Sequence, residues 1–243
     1  MRKIILLLLG FTLFTGCKST PTEEYDICIY GGTSAGVIAA YSAKMMNKKV
    51  LLIEPQNRLG GLTSGGLGFT DIGNKQVATG LSKDFYRRLG THYGKLEQWI
   101  FEPKVADSIF NDYVKRADID VLYKHRIIEA NVIDGTIRDI ILESSDGTKT
   151  TKTVFAKMFI DCTYEGDLMA KAGVSYTIGR EDNKLYNETY NGVQLMKGHQ
   201  FPDGIDPYKI PGDSTSGLLW GIAPTTLSPE GTGDKLVQAY NYR

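Results

Sequence analysis

The sequence is poor in cysteine and histidine, has no surplus charge of either sign, and lacks an apolar run long enough to span a bilayer. Its 28 basic and 28 acidic residues cancel, so no broad field draws the chain to phosphate backbones or anionic lipid, and nucleic acid is not an expected partner. The three cysteines are Cys17, Cys28 and Cys162, too few for a disulfide framework or a cysteine-ligated iron–sulfur cluster within the chain. His92, His125 and His199 are scattered without ligand spacing and read as surface or structural positions, so no metal site is expected. Nucleophile elbows, Walker loops, zinc motifs, internal repeats and low-complexity tracts are all missing. Glycine, by contrast, is plentiful: 27 of 243 residues, against a usual share of about 7%. The glycines fall in clusters, which suggests ligand sites lined by backbone.

The N-terminus reads as a targeting segment. Arg2 and Lys3 form a basic start, Ile4 to Phe14 a short apolar stretch, and Thr15 and Gly16 precede Cys17. That order resembles a bacterial lipoprotein signal, with Phe14 where the signal usually carries Leu. The resemblance implies cleavage before Cys17 and acylation there (diacylglycerol on the thiol, a fatty acid such as palmitate on the new amino group), with residues 18–24 as a polar tether. Several acyl chains anchor stably where one does not. The expected location is the bacterial cell envelope, at the periplasmic or outer surface. Cys28 and Cys162 fall in expected buried strands and read as inert packing.

Asp26 to Gly31 is an apolar run closing on glycine, the pattern of a strand buried on both faces in a parallel sheet. A helix follows in which Gly36, Ala40 and Ala43 make one face of very small side chains, and Val50 to Ile53 makes a second strand ending at Glu54. Together these form a βαβ unit. Leu81, Phe85 and Leu89 mark a further helix; Val105, Ile109, Tyr113 and Ala117 mark another that begins at Pro103. Asp120 to Tyr123 is a candidate third parallel strand. From Ile127 to Ile160 the period becomes strand-like, with Asp134-Gly135 and Asp146-Gly147 as hairpin turns, which predicts a β-meander whose last arm is Val154 to Asp161. Glu165 and Asp167 read as residues at a helix start, and Leu168 to Ala172 as the helix itself. Five of the eight prolines lie between Pro202 and Pro229, so the remainder is expected to be mostly loop.

The turn Gly31-Gly32-Thr33-Ser34-Ala35-Gly36 lies between strand and helix, where a dinucleotide's diphosphate binds. Gly31 permits the tight turn and Gly36 the close approach of helix to sheet, but Thr33 replaces the glycine that brings backbone up to the diphosphate. Its hydroxyl, or that of Ser34, is a candidate phosphate donor instead. Glu54 can accept from both ribose hydroxyls of an adenosine and would repel a 2′-phosphate, which disfavours NADP. The run Arg58 to Gly68 then follows at once. A nicotinamide site needs nothing there, whereas a long planar ligand needs close backbone and Arg58 can meet a phosphate, so the run points to FAD.

These stretches, with Gly80 to Tyr86, Phe101-Glu102-Pro103 and Asp161-Cys162-Thr163-Tyr164-Glu165-Gly166-Asp167-Leu168, resemble the FAD-dependent oxidoreductases of the glutathione-reductase-like fold, in particular the bacterial branch related to heterodisulfide reductase. The resemblance implies an α/β fold: a Rossmann-like FAD-binding parallel sheet, helices on both faces and an inserted antiparallel β-meander. The FAD-binding domain is expected over 25–173, with the meander at 127–160, followed by the start of a substrate domain over 174–243.

Gly31, Gly32, Thr33, Ser34, Ala35, Gly36, Glu54 and the adjoining Pro55 would hold the ADP half of FAD. Arg58, Gly60, Gly61, Thr63, Ser64 and Gly65 would run beside the diphosphate and flavin, Ile127 would touch the adenine through its backbone, and Cys162, Thr163 and Gly166 would lie beneath the cofactor. The iron–sulfur ligands of the heterodisulfide reductase relatives find no matching cysteines. The implied activity is oxidation of a sugar, alcohol or amine by hydride transfer to flavin, with catalytic residues and electron acceptor unassigned. The relatives' C-terminal strand and Gly-Asp flavin motif find no counterpart here, so the expectation is a chain whose C-terminal part is incomplete. The rival readings are a nucleotide-binding or interaction lipoprotein without redox chemistry, and an inactive truncated flavoprotein.

Overall fold

The computed structural model describes residues 24–196, 198, 202–224 and 226–237. Cys17, its leader and most of the tether, and His199, lie outside the described residues. Contacts divide the chain between Val174 and Ser175 into two units.

The first unit is built on a six-stranded sheet of order β3-β2-β1-β6-β5-β4. Strand β1 (Glu24–Tyr30) is joined by α1 (Ser34–Met45) to β2 (Val50–Glu54), and β3 (Asp120–Tyr123) comes next. Parallel pairing joins β1 to β2 and β2 to β3. All five residues of β2 are buried, as its unbroken apolar run requires. Between β2 and β3 lie three helices, α2 (Gly61–Gly65), α3 (Gly80–His92) and α4 (Pro103–Arg116), with Pro103 at the start of α4. Pro suits that place because the amide it lacks has no partner within the helix.

The meander comprises β4 (His125–Ile133), β5 (Thr136–Ser144) and β6 (Thr151–Asp161). Asp134 and Gly135, at φ 49° and 73°, close the β4–β5 hairpin in two left-handed residues, the geometry whose twist matches that of paired strands. The meander continues the parallel sheet through β6, which is longer than the expected arm. Its first half pairs antiparallel with β5, and from Phe155 to Asp161 it runs parallel to β1.

Alternation along β1 divides the core. Ile29 faces Val37, Ala40, Leu52, Phe85, Phe110 and Tyr113, so α1, α3 and α4 cover that side. Cys28 and Tyr30 face the other side with Leu51, Ile53, Ile127, Ile140, Leu142 and Leu168. Ile127 stands on β4, three strands from β1 in sheet order, so the meander curls back over the face that the short helix α5 (Asp167–Lys171) also covers. The Tyr30 hydroxyl fastens this fold-over by accepting the Ile127 N–H at 3.0 Å.

The second unit contains the hairpin of β7 (Tyr208–Ile210) and β8 (Asp213–Leu218), within a stretch that is otherwise mostly loop. Arg180 and Asp234 bond through their backbones, at 2.9 and 3.0 Å, and again through guanidinium and carboxylate.

Candidate FAD site

Three segments far apart in sequence meet at the C-terminal ends of β1, β2 and β6. The first, Gly31 to Gly36, turns from β1 into α1. Gly31 sits at φ 101°, and a Cβ there would lie 2.8 Å from the backbone of Cys162 and Thr163. A Cβ on Gly36 would overlap the Gly31 carbonyl oxygen. Strand, helix and the end of β6 therefore pack backbone against backbone, which only glycine allows.

Thr33 caps α1: its hydroxyl oxygen accepts the Gly36 N–H at 3.3 Å, and its proton goes to the Cys162 carbonyl at 2.8 Å. In this structure the Thr33 hydroxyl commits its one proton inward to Cys162 and has none turned toward the cavity. Ser34, half-buried at the first helical position, remains a candidate phosphate donor.

The second segment runs from Glu54 through α2. Glu54 is 8% exposed; one carboxylate oxygen accepts the Gly32 N–H at 2.8 Å and the other the Gln56 N–H at 2.7 Å. Burial pushes its pKa above the usual glutamate value, opposed by those two amides. Four lone-pair positions less two amides leaves room for two further donors. Arg58 is exposed and makes no ion pair with a described carboxylate; its guanidinium donates to the Ser64 carbonyl at 3.3 Å. The Ser64 hydroxyl turns inward to the Leu59 carbonyl.

The third segment follows β6. Asp161 organises it: one carboxylate oxygen accepts the Thr163 N–H and hydroxyl at 2.9 and 2.7 Å, and the other accepts the Met169 N–H at 2.9 Å. The Thr163 hydroxyl oxygen in turn accepts the Gly166 N–H at 2.9 Å. Cys162, expected in a buried strand, lies just past β6 and is half-buried. Burial, reinforced by Asp161, raises its thiol pKa, and burial pushes Cys28 up to about 12, so both thiols stay protonated and unreactive at neutral pH.

The segments enclose a cavity of about 540 Å³. Of the expected residues, Gly31, Thr33, Glu54, Pro55, Arg58, Gly61, Gly65 and Thr163 line it. Gly32, Ser34, Ala35, Gly36, Gly60, Thr63, Ser64, Cys162 and Gly166 belong to the same three segments without lining the cavity itself. Ile127 is removed from it, buried in the meander core with its amide on Tyr30. The sequence reading missed Gln56, Asn57, Leu62, Tyr164, Glu165 and Asp167 in the wall. A helix start accounts for the last two without any ligand, and nothing in the pattern places Tyr164 against α2. A second hollow of about 480 Å³ shares Pro55, Gln56 and Asn57 and adds Lys124, Ser145 and Asp146.

A nucleotide's adenosine and diphosphate suit this donor set: an acidic acceptor at the end of β2, a cation at Arg58 without an acid partner among the described residues, and glycine backbone opening on space at Gly65, where a Cβ would meet nothing within 4 Å. Fold and site together define a dinucleotide-binding α/β protein with the ligand at the carboxyl ends of parallel strands.

A family model described as FAD dependent oxidoreductase matches residues 26–243. The chain belongs to that family, and its cofactor is FAD. No curated protein matches the chain. Among solved structures it is similar to THI4 of Thermovibrio ammonificans (18% identity over 63% of this chain and 64% of that one, TM-score 0.45). It is also similar to L-proline dehydrogenase from P. horikoshii (13% identity, 66% and 59%, TM-score 0.49) and to the glycerol-3-phosphate dehydrogenase from Bacillus halodurans complexed with FAD (14% identity, 62% and 36%, TM-score 0.44). The chain thus spans between 36% and 64% of the length of these three.

Proposed function

We propose that this protein is an FAD-dependent oxidoreductase that oxidises a small organic substrate, a sugar, alcohol or amine, while tethered to a bacterial envelope membrane through lipid on Cys17. The observation that carries the redox reading is the convergence of Gly31, Glu54, Arg58 and Thr163 on one cavity in a chain of the FAD dependent oxidoreductase family. Within that family, the Asp161 to Leu168 segment supports a place in the branch related to heterodisulfide reductase.

When bound, FAD supplies hydride-accepting chemistry at its flavin. The chain's own share is binding and orientation. Glu54 accepts from the ribose hydroxyls, Arg58 and the Ser34 hydroxyl serve the diphosphate, and the close-packed glycine loops let backbone approach the cofactor. The tether rests on the sequence from Arg2 to Cys17; among the described residues no helix is long and apolar enough to cross a membrane.

Purified mature protein is expected to take up FAD, show a flavin absorbance band and bleach anaerobically with one member of a panel of sugars, alcohols and amines. Absence of the band after incubation with FAD would sink the redox reading. For the anchor, Cys17→Ser is expected to move the protein from the membrane to the soluble fraction and abolish palmitate labelling; unchanged fractionation would refute it.

A further inference from the structure

Tyr164 stands in the loop after β6, and its phenol oxygen accepts the Leu62 N–H at 2.8 Å, a contact across 102 residues of sequence. Leu62 is the second residue of α2, whose cap, Gly60, has no side chain to offer. The third cavity segment therefore caps the helix of the second. The approach is so close that a Cβ on Gly61 would collide with the Tyr164 hydroxyl.

A hydroxyl that accepts on its oxygen still has a proton to place. No described residue receives the one on Tyr164, which is 57% exposed and lines the cavity with Gly31, Thr33, Arg58 and Gly61. Two features make a donor at this place consequential. Thr33 occupies the position where glycine would bring backbone up to a diphosphate, and its own proton is spent on Cys162. The cavity is also acidic, with Glu54, Glu165 and Asp167 on its wall against the single cation Arg58. A neutral phenol O–H offers an oxyanion a hydrogen bond that those carboxylates do not cancel.

We propose that Tyr164 donates its phenolic hydrogen to a diphosphate oxygen of FAD, standing in from the loop after β6 for the close approach lost at Thr33. The proposal rests on the FAD reading above.

Isothermal titration of the whole mature chain with FAD, ADP and adenosine separates its outcomes. Tyr164→Phe is expected to weaken FAD and ADP about tenfold, the effect of losing one hydrogen bond to a charged group, and to leave adenosine within about twofold, since adenosine carries no phosphate. Tyr164→His, which keeps a ring and an N–H donor, is expected to fall between wild type and the phenylalanine variant on ADP, and it serves if Tyr164→Phe does not fold. Equal losses for ADP and adenosine would mean that the hydroxyl only caps α2; unchanged affinities would mean that it does not reach the ligand. Either result overturns the proposal while leaving the FAD reading intact, whereas wild-type protein that binds neither FAD nor ADP overturns the reading on which it rests.

Discussion

Glu54 is held at the end of β2 with one backbone amide on each carboxylate oxygen, and its burial lifts the pKa above the ordinary glutamate value. Between those two values the folded chain keeps a proton that the unfolded chain has released. This carboxyl therefore favours folding below that window and costs stability above it. Ribose hydroxyls donate best to the ionised form, so affinity runs the other way. FAD is expected to bind progressively more weakly as pH falls through the raised Glu54 value, and Glu54→Gln about tenfold more weakly at neutral pH with that step flattened, as read by flavin titration. A step that persists in the glutamine variant would assign the titration to another group. Thr33 is tested through stability. Thr33→Val strands both the Gly36 amide and the Cys162 carbonyl, and is expected to lose about 2 kcal/mol in urea unfolding. Thr33→Gly, although it restores the usual glycine, is expected to lose about 1 kcal/mol or more, because Thr33 sits at φ −64°, where glycine has no advantage and brings chain entropy. A stabilised glycine variant would contradict the capping role.

Helices α3 and α4 are tied by polar side chains as well as by Phe85 and Phe110. Asp84 accepts the Tyr113 hydroxyl at 2.5 Å and the Arg88 guanidinium at 2.6 Å, and Arg88 reaches on to Asp112 at 2.9 Å. Burial pulls the Asp84 pKa up, but the bonds from Tyr113 and Arg88 outweigh it and hold the carboxyl below its usual value. A depressed folded pKa stabilises above the ordinary aspartate value, and that stability is lost as pH falls through the folded value. Asp84→Asn is expected to cost about 1 kcal/mol at neutral pH, kept small by solvent screening of a half-exposed carboxylate. Chemical denaturation at stepped pH should show the gap close on acidification; a constant gap would remove the ionic part of the argument. Sequence patterning revealed each of these elements but not their partners. The small-residue face of α1 and the Pro103 start of α4 are written in local residue types. The parallel pairing of β6 with β1 is not, because the apolar stretches Val154 to Ala156 and Met158 to Ile160 suit parallel and antiparallel neighbours alike.

Across the whole first unit, the cavity exists only because segments around residues 31, 58 and 163 arrive together. Saturation with FAD at a hundredfold excess over Kd is expected to stabilise the fold by about 2.7 kcal/mol. The added hydrogen-exchange protection should fall on all three loops, Gly31 to Gly36, Glu54 to Gly65 and Asp161 to Asp167. Protection confined to the first loop would mean that the other two do not touch the cofactor. The sequence by itself determined the βαβ unit, the glycine-lined loops and the acidic residue at the end of β2, since each depends on residue types within one short stretch. Tertiary structure decided which hydroxyls remain available to a ligand: Thr33 and Thr163 turn inward to partners 129 and 2 residues away, while Tyr164 crosses to α2. It also decided that Ile127 gives its amide to Tyr30, because the meander curls over the sheet. Donor commitments of this kind depend on which loops fold against one another, and residues so far apart carry no local signal of their meeting.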